Sequence, residues 1–169
     1  MNCSIGQSLE VVGEWWSLLI IRDAFFGVTR FDDFQERLGI ARNVLNQRLA
    51  HLVDEGVLER VRYSEHPPRF DYVLTEQGRD LWPVIVALRQ WGDRWRAPDG
   101  PPLQLVHRAC GHVAELIPVC SECGTTFGPG DVTPRQDRAP TATQCPRRPS
   151  SAASSPAPPN RSSRGRPSA

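Results

Sequence analysis

Apolar residues recur with helical spacing from the start of the chain to about residue 95, and the spacing changes character along the way. Residues 15–26, WWSLLIIRDAFF, are apolar on nearly every side, as expected of a central buried helix, and Gly27 is placed to end it. Phe31, Phe34 and Leu38 follow at i, i+3 and i+7, with Thr29 and Asp32 three residues apart as a capping signal at the helix start. Gly39 then permits a tight turn. The next helix spans residues 41–55, with Val44, Leu45, Leu49, Leu52 and Val53 on one arc. Past Gly56 the period shortens to two: Leu58 to Tyr63 and Phe70 to Leu74 read as short strands, the second alternating Phe70, Tyr72 and Leu74 with Asp71 and Val73. The intervening SEHPPR is too long and too rich in proline for a two-residue hairpin turn. Thr75 is suited to cap a last helix running to about Trp95, with Pro83 kinking it. Helix, helix, helix, tight turn, helix, hairpin, long helix is the order of a winged helix–turn–helix, so the fold class is mainly α (α+β).

The pattern fails near Ala97, and composition fails with it. Residues 1–97 form the predicted winged-helix domain, 98–129 a small cysteine-bearing extension, and 130–169 a Pro/Ser/Arg-rich tail expected to be disordered, because it has too little apolar surface to offset its ordering entropy. Charge divides unevenly: residues 1–97 carry 12 Arg against 14 acidic residues, residues 98–169 carry 8 Arg against 5, and lysine is absent. A domain that is not basic overall must bind nucleic acid through a local patch, or through such a patch doubled in a dimer.

That patch is legible on the helix at 41–55. Placed at about 100° per residue, Asn43, Asn46, Gln47, Ala50 and Asp54 fall opposite the apolar arc, with Arg42 flanking them in the first turn. In helix–turn–helix proteins the N-terminal half of the second helix enters the major groove, where Asn and Gln pair with adenine and Arg with guanine. A solvated helix face would look similar in isolation; the preceding turn and the following hairpin favour the DNA-reading face. Arg48 lies at the edge of the apolar arc and is either a structural ion-pair residue or a phosphate contact. Arg60 and Arg62 share one strand face, and with His66 and Arg69 they make the wing (60–70) cationic, suited to phosphates or the minor groove unless these are ordinary surface charges.

From Cys3 to Trp95 the chain resembles the HxlR-type winged-helix transcriptional regulators, relatives of the MarR group. The resemblance rests on an N-terminal Cys before the first helix and on VVGEWWSLLIIRD, RFDDFQERLGI, VLNQRLAHLVDEGVLER, PPRFDYVLTEQGRDLWPVI and WGDRW. It implies a bacterial, homodimeric, DNA-binding regulator whose long C-terminal helix and first helix make the dimer. Arg42, Asn43, Asn46, Gln47 and Arg48 then fall in the matching recognition helix, and His66 to Arg69 in the wing. The chain departs from the family at Glu14-Trp15-Trp16, where a basic residue is usual, and in the extension after Ala97. Such a protein acts as a repressor or other regulator on a pseudo-palindromic double-stranded operator, under a small-molecule or oxidant effector. Cys3 matches a thiol that senses oxidants in several relatives; a terminal cysteine tucked against the dimer interface is the alternative. Trp15, Trp16, Trp82, Trp91 and Trp95 are read as core and dimer packing, with a ligand pocket as the alternative.

Three of the remaining cysteines, Cys110, Cys120 and Cys123, show a second pattern, and Cys145 in the tail has no partner spacing. HRACG (107–111) and CSECG (120–124) both set a ligand-type residue, two spacers and Cys-Gly in sequence, as zinc-ribbon knuckles do. The predicted ligands of a structural zinc are His107, Cys110, Cys120 and Cys123, with His112 able to replace His107; a redox pair of Cys120 and Cys123 is the competitor. No apolar run approaches the roughly 18 residues of a membrane span, and no secretory signal heads the chain, so a cytoplasmic location with reduced thiols is expected. No Ser-His-Asp set, phosphate-cradling glycine loop or catalytic carboxylate pair appears, so an enzyme is not expected. A winged helix that acts purely as a protein–protein adaptor is the competing class.

Overall fold

The computed structural model describes residues 3–135. Cys145 and most of the expected tail lie outside the described residues. Elements run in the order α1 (Ser4–Val12), α2 (Trp15–Phe25), α3 (Phe31–Leu38), α4 (Arg42–Asp54), β1 (Leu58–Ser64), β2 (Arg69–Leu74), α5 (Glu76–Arg79) and α6 (Trp82–Trp95). This is the predicted winged helix, mixed α+β, and most boundaries fall within a residue or two of the sequence reading. No helix among the described residues is long and apolar enough to cross a membrane.

One core organises the first 86 residues. Ile20 and Ile21 of α2, Phe34 of α3, Leu45, Leu49 and Leu52 of α4, and Val57 and Leu58 at the start of the hairpin are all essentially inaccessible. The apolar arc predicted on α4 is therefore the face that anchors it, and its opposite face is left to solvent. Between α3 and α4 the chain must reverse tightly. Gly39 does this at φ +62°, a left-handed conformation that costs an L side chain roughly 1–2 kcal/mol.

α2 was expected to be buried all round, but Trp15 is 62% exposed and Phe26 44% exposed. The helix buries its Ile20–Ile21 side and also a charge. Asp23 is 1% exposed, held by Arg22 at 2.8 Å and by Arg37 of α3 at 3.6 Å. A buried carboxylate is tolerated only when paired, and this pairing ties α2 to the first helix of the helix–turn–helix.

Three local expectations need correction. Thr29 does not cap α3: its hydroxyl donates to Asp71 Oδ1 at 2.9 Å, and its carbonyl accepts from Tyr72 N at 2.7 Å. With the Arg30–Asp71 bridge this adds a short third edge to the hairpin, so the hydroxyl serves the sheet, and α3 begins at an extended Arg30 without a side-chain cap. Thr75 does cap, accepting from Gly78 N at 3.1 Å, but the helix it starts is the four-residue α5. Pro83 does not kink a continuous helix; it sits in the first turn of a separate α6, where its missing N–H removes no intrahelical bond. A proline at that position in a helix running from Glu76 would have clashed with the preceding turn.

The chain divides into two compact units, one reaching Leu116 and one beginning at Ile117. Within the first, the segment after α6 is fastened to that helix. Arg89 Nη1 donates to Leu103 O at 3.0 Å, Leu116 N donates to Gln90 Oε1 at 2.6 Å, and Gln90 Nε2 donates to Leu116 O at 3.3 Å. The compact unit thus runs past the boundary expected at residue 97.

Candidate nucleic-acid interface

The solvent face of α4 and the wing together frame a groove of about 910 Å³. Arg42, Asn43 and Asn46 line it from α4, and Arg60, Pro68, Arg69 and Phe70 from the hairpin. Five of the nine predicted DNA contacts (Arg42, Asn43, Asn46, Arg60 and Arg69) thus share one concave surface. Asn43, Asn46 and Gln47 are exposed, and Gln47 lies on the same helix face without lining the groove.

The wing holds its cations by stacking. β1 and β2 pair antiparallel with Arg62 opposite Phe70 and Arg60 opposite Tyr72, and a register irregularity lies between Arg62 and Ser64. Both guanidinium groups stand over the Phe70 ring, at 4.1 Å for Arg60 and 5.9 Å for Arg62. Arg42 packs likewise over Phe31 at 4.8 Å. Each such contact contributes about 0.5–1 kcal/mol at an exposed site and narrows the rotamers a long side chain samples. His66 and Arg69 are exposed at the tip and on the second strand.

Carboxylates temper this surface. Asp32 Oδ1 lies 3.6 Å from Arg42 Nη1, and Glu65 Oε2 lies 3.1 Å from Arg62 Nη1. Asp32 and Asp33, in the first turn of α3, also line the groove.

Arg48 makes an ion pair with Glu14. It is half-buried, and its Nε lies 3.6 Å from Glu14 Oε2, the carboxylate that accepts from Trp16 N at 2.9 Å to cap α2. The same Glu14 that departs from the family pattern thus joins α2 to α4. Arg30 was missed by sequence reasoning. It lies in the groove, 5.0 Å above the Tyr63 ring and 3.9 Å from Asp71. Its signal was hidden because Thr29 and Arg30 read as a helix start, while their backbone pairs with the wing.

Cys3 is exposed at the N-cap of α1. In the extension, His107 Nδ1 lies 3.3 Å from Cys110 Sγ. Cys120 and Cys123 are both half-buried in the second unit. Among the described residues, no group of three or more His, Cys, Asp or Glu side chains is gathered as a metal site.

Residues 11–99 match the HxlR-like helix-turn-helix family. An uncharacterised HTH-type transcriptional regulator of Mycobacterium tuberculosis is 49% identical over 132 residues, 78% of this chain and 84% of that protein. One of Bacillus subtilis, YdeP, is 32% identical over 96 residues, 56% of this chain and 75% of its own. Among solved structures, the transcription factor PA1607 superposes at a TM-score of 0.73 with 40% identity, covering 80% of this chain and 96% of that one. The oxidised redox regulator HypR superposes at 0.52 with 30% identity, covering 56% of this chain and 98% of its own. The mycobacterial and PA1607 matches cover more of the chain than residues 11–99 do, so those two relatives share part of the extension. With a winged helix, an exposed polar face on α4 and this agreement in sequence, the chain belongs to the HxlR-like helix-turn-helix family of DNA-binding transcriptional regulators.

Proposed function

We propose that the protein is a cytoplasmic, homodimeric repressor that reads a pseudo-palindromic operator. In this reading α4 enters the major groove with Asn43, Asn46 and Gln47 toward base edges, while Arg42, Arg60, Arg62, His66 and Arg69 meet phosphates or the adjacent minor groove. The observation that carries it is the shared groove, in which α4 amides and wing arginines face one concave surface. Phosphate contacts would set position, and the amides would set sequence.

The dimer is supported by an apolar stripe that the protomer leaves uncovered. On α6, Val84, Leu88, Trp91 and Trp95 recur at i, i+4, i+7 and i+11 and are 49–61% exposed, and Ile5 and Leu9 of α1 are more than half exposed. Faces of this kind are buried by a second copy in two-fold dimers, which would place two recognition helices on two half-sites.

Footprinting on the DNA upstream of the protein's own gene tests the reading. A protected pair of half-sites is expected, with Asn46→Ala or Gln47→Ala weakening that site by about 1–3 kcal/mol while leaving binding to unrelated DNA in place. If both variants keep full operator affinity, α4 is not the reading face.

An oxidant-responsive form of this regulator has one supporting observation, the exposed thiol of Cys3 at the head of α1, the helix that also carries the exposed Ile5 and Leu9. Cys3→Ser would then leave operator binding intact while abolishing its response to diamide.

A further inference from the structure

A cavity of about 280 Å³ lies between α2, α6 and the chain that follows α6. Leu18 and Arg22 line it from α2, Trp82 and Arg89 from α6, and Leu103 and Leu105 form a third wall. All of these residues belong to the compact unit that ends at Leu116. The third wall lies beyond residues 11–99, the part of the chain that matches the family. It is fastened in place: Leu103 O accepts from Arg89 Nη1 at 3.0 Å, and Leu116 is bonded twice to the Gln90 side chain. The Trp82 ring is held edge-on to Phe25, with ring centres 5.1 Å apart.

The walls are mostly apolar, and the charges on their two arginines are already matched. Arg89 Nη1 lies 2.7 Å from Asp93 Oδ2, and Arg22 Nη2 lies 2.8 Å from Asp23 Oδ1. A charged ligand would have to leave water and disturb one of these pairs, and both steps are costly in an apolar setting. Arg89 keeps one unused group. Its side chain is only 19% exposed, and its Nε is buried with no hydrogen-bond partner among the described residues. A buried donor of this kind is unfavourable until an acceptor reaches it. Size sets the other limit: an apolar cavity of about 150 Å³ holds one benzene ring, so this one has room for two fused rings.

We propose that this cavity binds an uncharged, flat, two-ring molecule bearing a carbonyl acceptor. The rings lie among Leu18, Trp82, Leu103 and Leu105, and the carbonyl oxygen accepts from Arg89 Nε. Binding is noncovalent and leaves the Arg89–Asp93 and Arg22–Asp23 pairs intact. The segment 102–105 is then a wall of a ligand site, a role for a part of the chain outside residues 11–99.

Calorimetry on the full chain without DNA tests this with three probes of matched shape: acetylnaphthalene, ethylnaphthalene and naphthoate. Acetylnaphthalene should bind, and the other two should bind about tenfold or more weaker, one lacking the acceptor and the other carrying a charge. Arg89→Lys keeps a cation for Asp93 but removes the Nε donor, so acetylnaphthalene should fall to the affinity of ethylnaphthalene. Leu105→Trp fills the cavity and should abolish uptake. In the unmutated chain, acetylnaphthalene should shift the methyl resonances of Leu18, Leu103 and Leu105, so a misfolded variant cannot mask the result. No uptake of acetylnaphthalene overturns the proposal; Leu88 of the α6 stripe borders the cavity, and a second copy of the chain filling it would give that result. Equal affinity for the ethyl probe overturns the role of Arg89, tightest binding of naphthoate overturns the uncharged class, and shifts confined to other residues overturn the site. DNA takes no part in the measurement, so its outcome is separate from that of the operator reading.

Discussion

Neutralising Asp32 should tighten DNA binding while slightly loosening the fold. Asp32 Oδ1 lies 3.6 Å from Arg42 Nη1, and the two side chains are 80% and 72% exposed. In water a charge pair at that distance attracts by about 1.2 kcal/mol, and exposed pairs contribute roughly 0.2–1 kcal/mol once side-chain entropy and screening are included. A phosphate that takes Arg42 must overcome this attraction. Asp32→Asn removes it, which is worth about 1.4-fold to 5-fold in affinity per protomer, or about 2-fold to 30-fold for two recognition helices. The same carboxylate sits in the first turn of α3, where a negative charge stabilises the helix by about 0.3–1 kcal/mol, so the variant should melt a few degrees lower. Fluorescence anisotropy with operator DNA at fixed salt reads the first effect, and thermal unfolding the second. Unchanged or weaker DNA binding, with the small loss of stability present, would refute the idea that phosphate competes with Asp32 for Arg42.

Two further substitutions probe the frame around the groove. Asp23→Asn keeps the shape of the buried carboxylate but abandons Arg22 and Arg37. Both arginines have side chains 40–55% exposed and can rehydrate, so the cost should be about 2 kcal/mol, below the ~3–5 kcal/mol of a fully buried pair, read as a lower urea midpoint. An unchanged midpoint would mean that the α2–α3 ion pairs contribute nothing net. Leu88→Glu puts a charge in the middle of the exposed α6 stripe, and light scattering should report a monomer at micromolar concentration; an intact dimer would place the interface elsewhere.

Much of the fold was legible because its core is built on regular periods. Phe34 at the centre of α3 and Leu45, Leu49 and Leu52 on α4 stand where their spacing put them, and all are essentially inaccessible. The exposure of Asn43, Asn46 and Gln47 followed from the same arithmetic, their face being what that arc leaves over. What escaped the sequence depends on contacts distant along the chain. Thr29 is a plausible cap by spacing, yet Asp71, 42 residues away, takes its hydroxyl. Arg30 entered the groove through the same pairing. Arg48 was ambiguous on a helical wheel because the wheel cannot include Glu14, the carboxylate it pairs with from the neighbouring helix. The break before α6 was signalled by Pro83 and read too mildly, since one proline fits either a kink or a new first turn. The division of the extension had no periodic signal, because its order comes from the Gln90 side chain and from repeated turns.

The salt dependence of operator binding tests the central claim most directly. If Arg42, Arg60, Arg62 and Arg69 of each protomer displace counterions, the logarithm of the association constant should fall against the logarithm of salt with a slope of about −5 to −7. Arg69→Ala should weaken operator and unrelated DNA alike and make that slope shallower by about 2 per dimer. A protein that retains no DNA even at low salt, or that binds it with a slope near zero, would contradict the account and assign this winged helix to a protein partner instead.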